Sequence, residues 1–272
     1  MERIEFSCQT YSWSMGGQQY VGRVDHMSKT ISAAGFSAIE PNESQLGGYE
    51  DPARLSECLG KLGLELSSMC LVAGWLHPQE TDAERARADQ IIDLTCSFPG
   101  AMLVLVQLPG SDRERLRERQ DALMRCIHDV ARRATEKGLT CSYHPNSPAG
   151  SIWRTREDYD RLLPRLDPML VRWTPDVGHL AKGAMDPLAM MVEYWPLVNH
   201  FHFKDMLVSG EWAPMGEGAV DFEAIVREVV RRQYDGWVVF EDECAEAVGD
   251  PDGVTLKDGA FIRDTVRRWL SG

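Results

Sequence analysis

The stretch of sequence that decides the fold is Glu136-Lys137-Gly138-Leu139-Thr140-Cys141-Ser142-Tyr143-His144. It joins the end of a long amphipathic segment to a glycine, a short apolar run and a polar residue that follows the run. A glycine just after a helical segment can adopt the left-handed conformation that ends helices, and it is typical of a helix-to-strand loop. The stretch therefore predicts a helix followed by a strand whose polar end is His144.

The same order recurs along the chain, because Gly35, Gly63 and Gly236 also follow helical segments and precede apolar runs. The pattern predicts strands over 4–8, 38–40, 66–72, 102–108, 139–144, 171–174, 200–203 and 237–241. It predicts helices over 23–34, 52–62, 81–98, 113–137, 155–163, 187–194, 222–232 and 257–270. Strands that alternate with helices are expected to be parallel and joined by crossover helices.

Eight strand–helix alternations favour an α/β fold of the (β/α)8 TIM-barrel type, with one domain spanning residues 1–272. The alternative is an open, doubly wound sheet. That fold would carry a G-x-G-x-x-G loop after the first strand, whereas residues 9–17 contain aromatic residues and glycine without that spacing.

Composition limits the class of protein. Lys and Arg total 29 against 42 Asp and Glu in 272 residues, a formal charge of −13. This charge argues against nucleic acid and anionic membranes as partners, and weighs mildly against a phosphorylated substrate. The seven cysteines include no Cys-x-x-Cys pair, which favours a reducing compartment. The N-terminus has no apolar leader and no run reaches about 18 apolar residues, so we predict a cytoplasmic protein.

Four consecutive predicted strands end in a histidine or a carboxylate: His144, Asp176, His202 and Glu241. Functional groups of a (β/α)8 barrel gather at the C-terminal strand ends. Two imidazoles and two carboxylates suit one divalent ion, with Mn²⁺ or Co²⁺ favoured and Mg²⁺ or Zn²⁺ as alternatives. His200 faces the same side as His202 because strand side chains alternate, and we expect it to lie deeper in the barrel.

Several motifs in the C-terminal half resemble the xylose-isomerase-like TIM-barrel superfamily, which contains sugar isomerases, epimerases and inosose dehydratase. Within it, this half looks most like inosose dehydratase. The motifs are Pro175-Asp176-Val177-Gly178-His179-Leu180-Ala181, His200-Phe201-His202-Phe203-Lys204-Asp205, Gly216-Glu217-Gly218-Ala219-Val220-Asp221-Phe222 and Tyr234-Asp235-Gly236-Trp237-Val238-Val239-Phe240-Glu241.

By position, the resemblance implies that His144, Asp176, His202 and Glu241 are the metal ligands. Ketose epimerases of the superfamily carry Glu where this chain has His144, and they exchange protons through two carboxylates. Members similar to inosose dehydratase carry histidine there. The resemblance thus implies Glu241 as the base, with His144 or His179 as the acid.

Further site residues are expected near the mouth of the barrel. His179 and Lys204 are expected to contact substrate; the alternatives are a loop histidine bonded to backbone and a salt bridge from Lys204 to Asp205 or Glu217. Glu40 is expected to contact sugar hydroxyls or to brace a neighbouring residue. Trp13 is expected to stack on a sugar ring; the other tryptophans of the mouth are Trp75, Trp153 and Trp212.

These residues suit an enzyme that removes the proton α to the carbonyl of a keto-sugar or keto-cyclitol through a metal-stabilised enediolate. Expulsion of a β-hydroxyl, as in inosose dehydratase, is slightly preferred over isomerisation or epimerisation. The expected partner is a small carbohydrate or cyclitol, and a homo-oligomer is compatible with the sequence. An endonuclease-IV-like phosphodiesterase is disfavoured by the acidic charge, while a non-catalytic sugar-binding barrel remains the alternative.

Overall fold

The computed structural model describes residues 4–270, in which eight parallel strands form a barrel. The strands are β1 Ile4–Gln9, β2 Ala38–Glu40, β3 in two parts Glu65–Leu66 and Ser68–Ala73, β4 Met102–Gln107, β5 Thr140–His144, β6 Arg172–Trp173, β7 Phe201–Phe203 and β8 Gly236–Phe240.

Strand pairing closes the barrel. β1 pairs in parallel with β8 on one side, where Ile4 lies opposite Gly236, and with β2 on the other. β3 to β6 form a second continuous run of parallel strands. Within residues 4–270, the barrel is closed between β6 and β7 by two isolated bridges at the strand ends, Trp173 with Val198 and Asp176 with His202. The predicted (β/α)8 barrel is thus confirmed, and the open doubly wound alternative is wrong.

Helices surround the strands. They are α1 Tyr11–Met15, α2 Val24–Ala34, α3 Pro52–Gly60, α4 Asp82–Cys96, α5 Leu116–Glu136, α6 Arg156–Leu162, α7 Val177–Lys182, α8 Pro187–Glu193, α9 Phe222–Arg231, α10 Pro251–Phe261 and α11 Arg267–Leu270. None of the helices described within residues 4–270 is long and apolar enough to cross a membrane.

The predicted helix-ending glycines are mostly confirmed. Gly35, Gly63 and Gly138 have φ of 95°, 65° and 89°, a left-handed conformation that a side chain disfavours. Gly236 does not end its helix. Gln233, three residues earlier, adopts the left-handed turn with φ of 57°.

The C-terminal helical segment starts six residues before the predicted position. Asp250 caps α10 by accepting the Gly253 amide at 2.9 Å, and Pro251 occupies the first helical position, which are ordinary start signals. Glycines at 253 and 259 weaken the helical pattern in the sequence. The short helices α1 and α7 were not predicted, because five or six residues show no helical period.

Side chains of β7 face alternately the surrounding helices and the barrel interior, and this places neighbouring residues in the core and in the site. Phe203 of β7 contacts Phe222 of α9 with ring centroids 5.3 Å apart, so this face packs against the helices. His202, the neighbouring residue, faces the barrel interior. All seven cysteines are free thiols and five are buried.

Candidate active site at the mouth of the barrel

The structure brings His144, Asp176, His202 and Glu241 together at the C-terminal mouth of the barrel. One ligand atom from each residue lies within 4.8 Å of the other three, and all four residues are buried. Backbone placement explains the convergence, since Asp176 and His202 form a parallel bridge and Glu241 directly follows β8. That this cluster holds a metal ion stays a prediction.

Asp176 is shared between the fold and the site. Its Oδ1 caps α7 by accepting the His179 amide at 2.7 Å. Its Oδ2 lies 3.3 Å from His144 Nε2 and 3.4 Å from Lys204 Nζ. Burial alone would raise the pKa of Asp176, but the Lys204 ammonium and the nearby imidazoles hold it well below the usual range. The carboxylate is therefore ionised and directed into the cluster.

His202 lies between two carboxylates. Its Nδ1 is 2.8 Å from Glu241 Oε2, and its Nε2 is 2.8 Å from Glu40 Oε1. Burial lowers the pKa of His202, but the charge of Glu40 and the hydrogen bond to Glu241 raise it to about 10. A carboxylate on the far nitrogen is the arrangement that orients metal-binding histidines. Together with the mixed nitrogen and oxygen donors, it shows that the residues present fit a divalent ion.

Glu40 is buried beneath His202 and does not line the cavity described below. Its carboxylate also lies 2.8 Å from His200 Nε2 and contacts the Ser68 hydroxyl. The structure thus places Glu40 as a brace for two histidines and not as a sugar contact. His200 is fully buried, at the deeper position that strand alternation predicts.

Lys204 is fully buried among charged groups. Its Nζ lies 3.3 Å from Glu241 Oε2 and 3.2 Å from His179 Nε2, and it also pairs with Glu243. Burial would raise the pKa of Glu241, but the lysine charge lowers it to about 2. Glu241 is therefore ionised at neutral pH. The predicted alternative partners of Lys204, Asp205 and Glu217, are not the ones it meets.

His179 is held by two contacts. Burial and the neighbouring Lys204 charge lower its pKa well below the usual range, so the ring is neutral. Its Nε2 then accepts from the Lys204 ammonium, and its Nδ1–H donates to Ser147 Oγ at 2.8 Å. The ring also packs edge-on against Trp212, with centroids 5.3 Å apart.

A cavity of about 390 Å³ opens above the cluster. Its lining includes the charged and imidazole side chains of His144, His179, His202, Glu241 and Glu243. Apolar side chains and amide or hydroxyl groups form the rest of the lining. The apolar residues are Val72, Val106, Leu108, Pro109 and Pro148, and the polar ones include Gln9, Asn42, Ser44, Gln107 and Asn146.

Trp13 lies outside this cavity, so the structure does not support the prediction that it contacts substrate. The residue is fully buried, and its indole N–H donates to Asp252 Oδ1 of α10 at 2.7 Å. The turn of α1 directs the side chain towards the outer helices. Trp75 and Trp153 are buried as well, and only Trp212 contacts the site.

Sequence reasoning missed Glu243 and Ser147. Glu243 lines the cavity and pairs with Lys204, while Ser147 holds His179. Glu243 follows Glu241 by two residues, so alternation at the end of β8 was an available signal. The amides Gln9 and Gln107 end β1 and β4, where the rule for barrel mouths also applies.

Gly178 allows α7 to approach Lys204. A Cβ on Gly178 would lie 2.7 Å from the Lys204 carbonyl oxygen and 2.8 Å from its Cβ. Gly178→Ala is therefore expected to lower the free energy of unfolding, because overpacking costs about 1–3 kcal/mol and better helix propensity returns at most about 1 kcal/mol. Urea unfolding measures the change.

Gly60→Ala is the matched control for this prediction. Gly60 lies in α3 with open space at its Cβ position, so the same substitution should leave stability unchanged or raise it. Equal effects at positions 60 and 178 would contradict the close approach.

The fold and the site define a class: (β/α)8 barrels with two histidines and two carboxylates at the mouth. A model of the xylose isomerase-like TIM barrel family matches residues 29–265, and the chain belongs to this family.

Individual relatives agree with that assignment. Inosose dehydratase of Geobacillus kaustophilus is 25% identical over 237 residues, covering 74% of this chain and 75% of that protein. The crystal structure of the probable 3-DHS dehydratase AsbF from Bacillus anthracis superposes with a TM-score of 0.74 at 18% identity, covering 96% of this chain and 100% of that one. The IolI protein, crystallised with a zinc atom, gives a TM-score of 0.74 at 14% identity, covering 99% and 100%. These two structures show similarity of fold.

Proposed function

We propose that this protein is a metal-dependent enzyme that removes the proton α to the carbonyl of a keto-cyclitol or keto-sugar and then eliminates a β-hydroxyl as water. The observation that carries the proposal is the buried cluster in which Glu241 is joined by a histidine, His144, at the end of β5. The named activity of the relative from Geobacillus kaustophilus, inosose dehydratase, supports elimination as the reaction.

His144, Asp176, His202 and Glu241 would hold the divalent ion. Mn²⁺ or Co²⁺ is favoured for this donor set, with Mg²⁺ and Zn²⁺ as alternatives; the zinc atom bound in the IolI crystal supports a metal ion in a protein of this fold. When bound, the ion supplies Lewis-acid polarisation of a carbonyl and its neighbouring hydroxyl.

The side chains supply the proton transfers. Glu241, ionised and facing the cavity, takes the proton from the α-carbon. The electron pair of that C–H bond forms a C=C bond as the β C–O bond breaks. The leaving hydroxyl takes a proton from His144 and departs as water; His179, the other predicted acid, is the weaker candidate because its ring is neutral and its N–H is bonded to Ser147. Lys204 is fully buried and does not line the cavity, so we assign it the role of the charge that keeps Glu241 ionised, in place of the predicted contact with substrate.

The cavity wall favours an uncharged polyol as substrate. None of the residues lining the cavity, all within the described range 4–270, is Lys or Arg. Of the lining carboxylates, Glu43 pairs with Arg87 and Glu243 with Lys204. A phosphate would need several cationic or N–H donors here, whereas amides and hydroxyls match the hydroxyl groups of a cyclitol or free ketose.

Isomerisation or epimerisation is the second candidate. It begins with the same proton abstraction and differs in where the proton returns. His144 and Glu241 both line the cavity, which supports it, because one group could take the proton and the other return one, to the neighbouring carbon in isomerisation or to the opposite face in epimerisation. A cytoplasmic location and a homo-oligomer stay predictions.

Proton NMR in D₂O tests the proposal. The metal-loaded enzyme is incubated with inososes and free ketoses, and in parallel with a ketose phosphate. We expect the substrate to lose its α-proton and one water, with deuterium at the α-carbon of recovered substrate where abstraction reverses before the C–O bond breaks, and the phosphate left unchanged. Deuterium in an isomeric product that has lost no water would establish the isomerase or epimerase alternative. A substrate that turns over while retaining every carbon-bound proton would exclude both.

A further inference from the structure

Lys204 lies among three carboxylates that differ in what else they do. Its Nζ is 3.4 Å from Asp176 Oδ2 and 3.3 Å from Glu241 Oε2, and it also pairs with Glu243. Asp176 and Glu241 belong to the candidate metal cluster, but Glu243 does not. The ammonium and a divalent ion would therefore share two carboxylates, while the third, Glu243, lies outside the metal cluster.

The partners of the ammonium give Glu243 a role. Without Glu243, the carboxylates in contact with Lys204 would be Asp176 and Glu241, the two that a metal ion would also use. The ammonium and the ion would then be drawn to the same two carboxylates. Like charges a few ångströms apart in a buried site repel strongly, so the lysine would then oppose metal binding.

The lysine side chain has little room to move away. Gly178 packs directly against it, because a Cβ placed on Gly178 would lie 2.8 Å from Lys204 Cβ and 3.0 Å from Lys204 Cγ. The Trp212 ring lies 5.3 Å from Nζ on another side. Glu243 is the partner on the cavity side, where its side chain is 17% exposed.

We propose that Glu243 is a positioning residue that holds the Lys204 ammonium on the cavity side of the cluster, so that the lysine does not compete with the metal ion for Asp176 and Glu241. This inference rests on the proposed metal-dependent function. It assigns Glu243 an effect on metal affinity that acts through Lys204.

A double-variant cycle tests the inference with Co²⁺ as the probe. The full-length protein is stripped of metal by a chelator, and Co²⁺ binding is measured by calorimetry and by the visible absorption of the bound ion. Glu243→Gln is expected to weaken Co²⁺ binding about tenfold or more, the effect of losing a group that supports metal ligands. In a Lys204→Met background, the same substitution should change affinity by no more than about threefold.

Glu43→Gln is the matched control. Glu43 lines the same cavity, but its carboxylate is held by Arg87 with Nε 2.7 Å from Oε2. Its loss should leave Co²⁺ affinity within about twofold, since it acts on no ligand. Circular dichroism and thermal unfolding confirm that each variant is folded. If Glu243→Gln is unstable, the double variant, which lacks both buried charges, is compared with Lys204→Met alone.

Each outcome has a separate meaning. If the unaltered protein binds no Co²⁺, the proposed metal-dependent function is wrong. If it binds Co²⁺ and Glu243→Gln binds equally well, only the role of Glu243 is wrong. An equal loss of affinity with and without Lys204 would also overturn the proposal, because the effect would then not act through the lysine.

Discussion

Glu241→Gln is expected to slow proton exchange at the substrate α-carbon by about 10²–10⁴-fold, the usual contribution of a general base. Glutamine keeps the size and one acceptor oxygen of Glu241, but it cannot take a proton. The low pKa of Glu241, about 2, arises because the Lys204 charge outweighs the effect of burial, so the ionised base is present throughout the neutral range. Exchange is measured by proton NMR in D₂O with the substrate that the unaltered enzyme turns over.

Metal content must be measured on the same preparation, because Glu241 is also a candidate ligand. Loss of exchange with the metal retained assigns the base, and loss of both assigns a ligand. Glu246→Gln is the control, since Glu246 is more than half exposed and pairs with Lys257 on the surface. Wild-type exchange in Glu241→Gln would contradict its role.

Asp176→Ala should weaken metal binding by more than about 100-fold. Removing a residue that only supports a metal ligand weakens binding by at most about 100-fold, and Asp176 is expected to be a ligand itself. The substitution should also destabilise the fold. Loss of the cap on α7 costs about 1 kcal/mol, and removal of one buried partner of Lys204 adds about 1–3 kcal/mol. Urea unfolding in excess chelator measures this loss separately from metal binding, and elemental analysis measures the metal.

Asp176→Asn separates the two roles of this residue. Its amide oxygen can still accept the His179 N–H that Asp176 Oδ1 accepts at 2.7 Å. We therefore expect Asp176→Asn to recover the stability of the cap but not the metal affinity. Full metal content in Asp176→Ala would show that the four-residue cluster is not the metal site.

The sequence predicts which residues come together at the C-terminal ends of the strands. His144, Asp176, His202 and Glu241 meet because parallel strands of a barrel bring their C-terminal ends to one mouth. The order of helices and strands was sufficient for that conclusion.

Side-chain direction in short loops could not be read in the same way. Trp13 follows β1 closely, yet the five-residue helix α1 turns it towards Asp252 of α10, 239 residues away in sequence. Glu40 was placed at the right strand end, but its orientation depends on His200 and His202, which reach it across the barrel. Such long-range pairs leave no periodic signal in the sequence.

The small number of backbone pairs between β6 and β7 has an evolutionary consequence. The bridge between Asp176 and His202 is one of the two isolated bridges that close the barrel there. A shift of one residue in its register would turn His202 to the outer face. Substitutions in these strands that disturb barrel closure would then disturb catalysis as well, even if they lie far from the substrate. Residues of β6, β7 and the bridges between them should therefore accept fewer substitutions during evolution than short strands next to solvent-facing helices usually do.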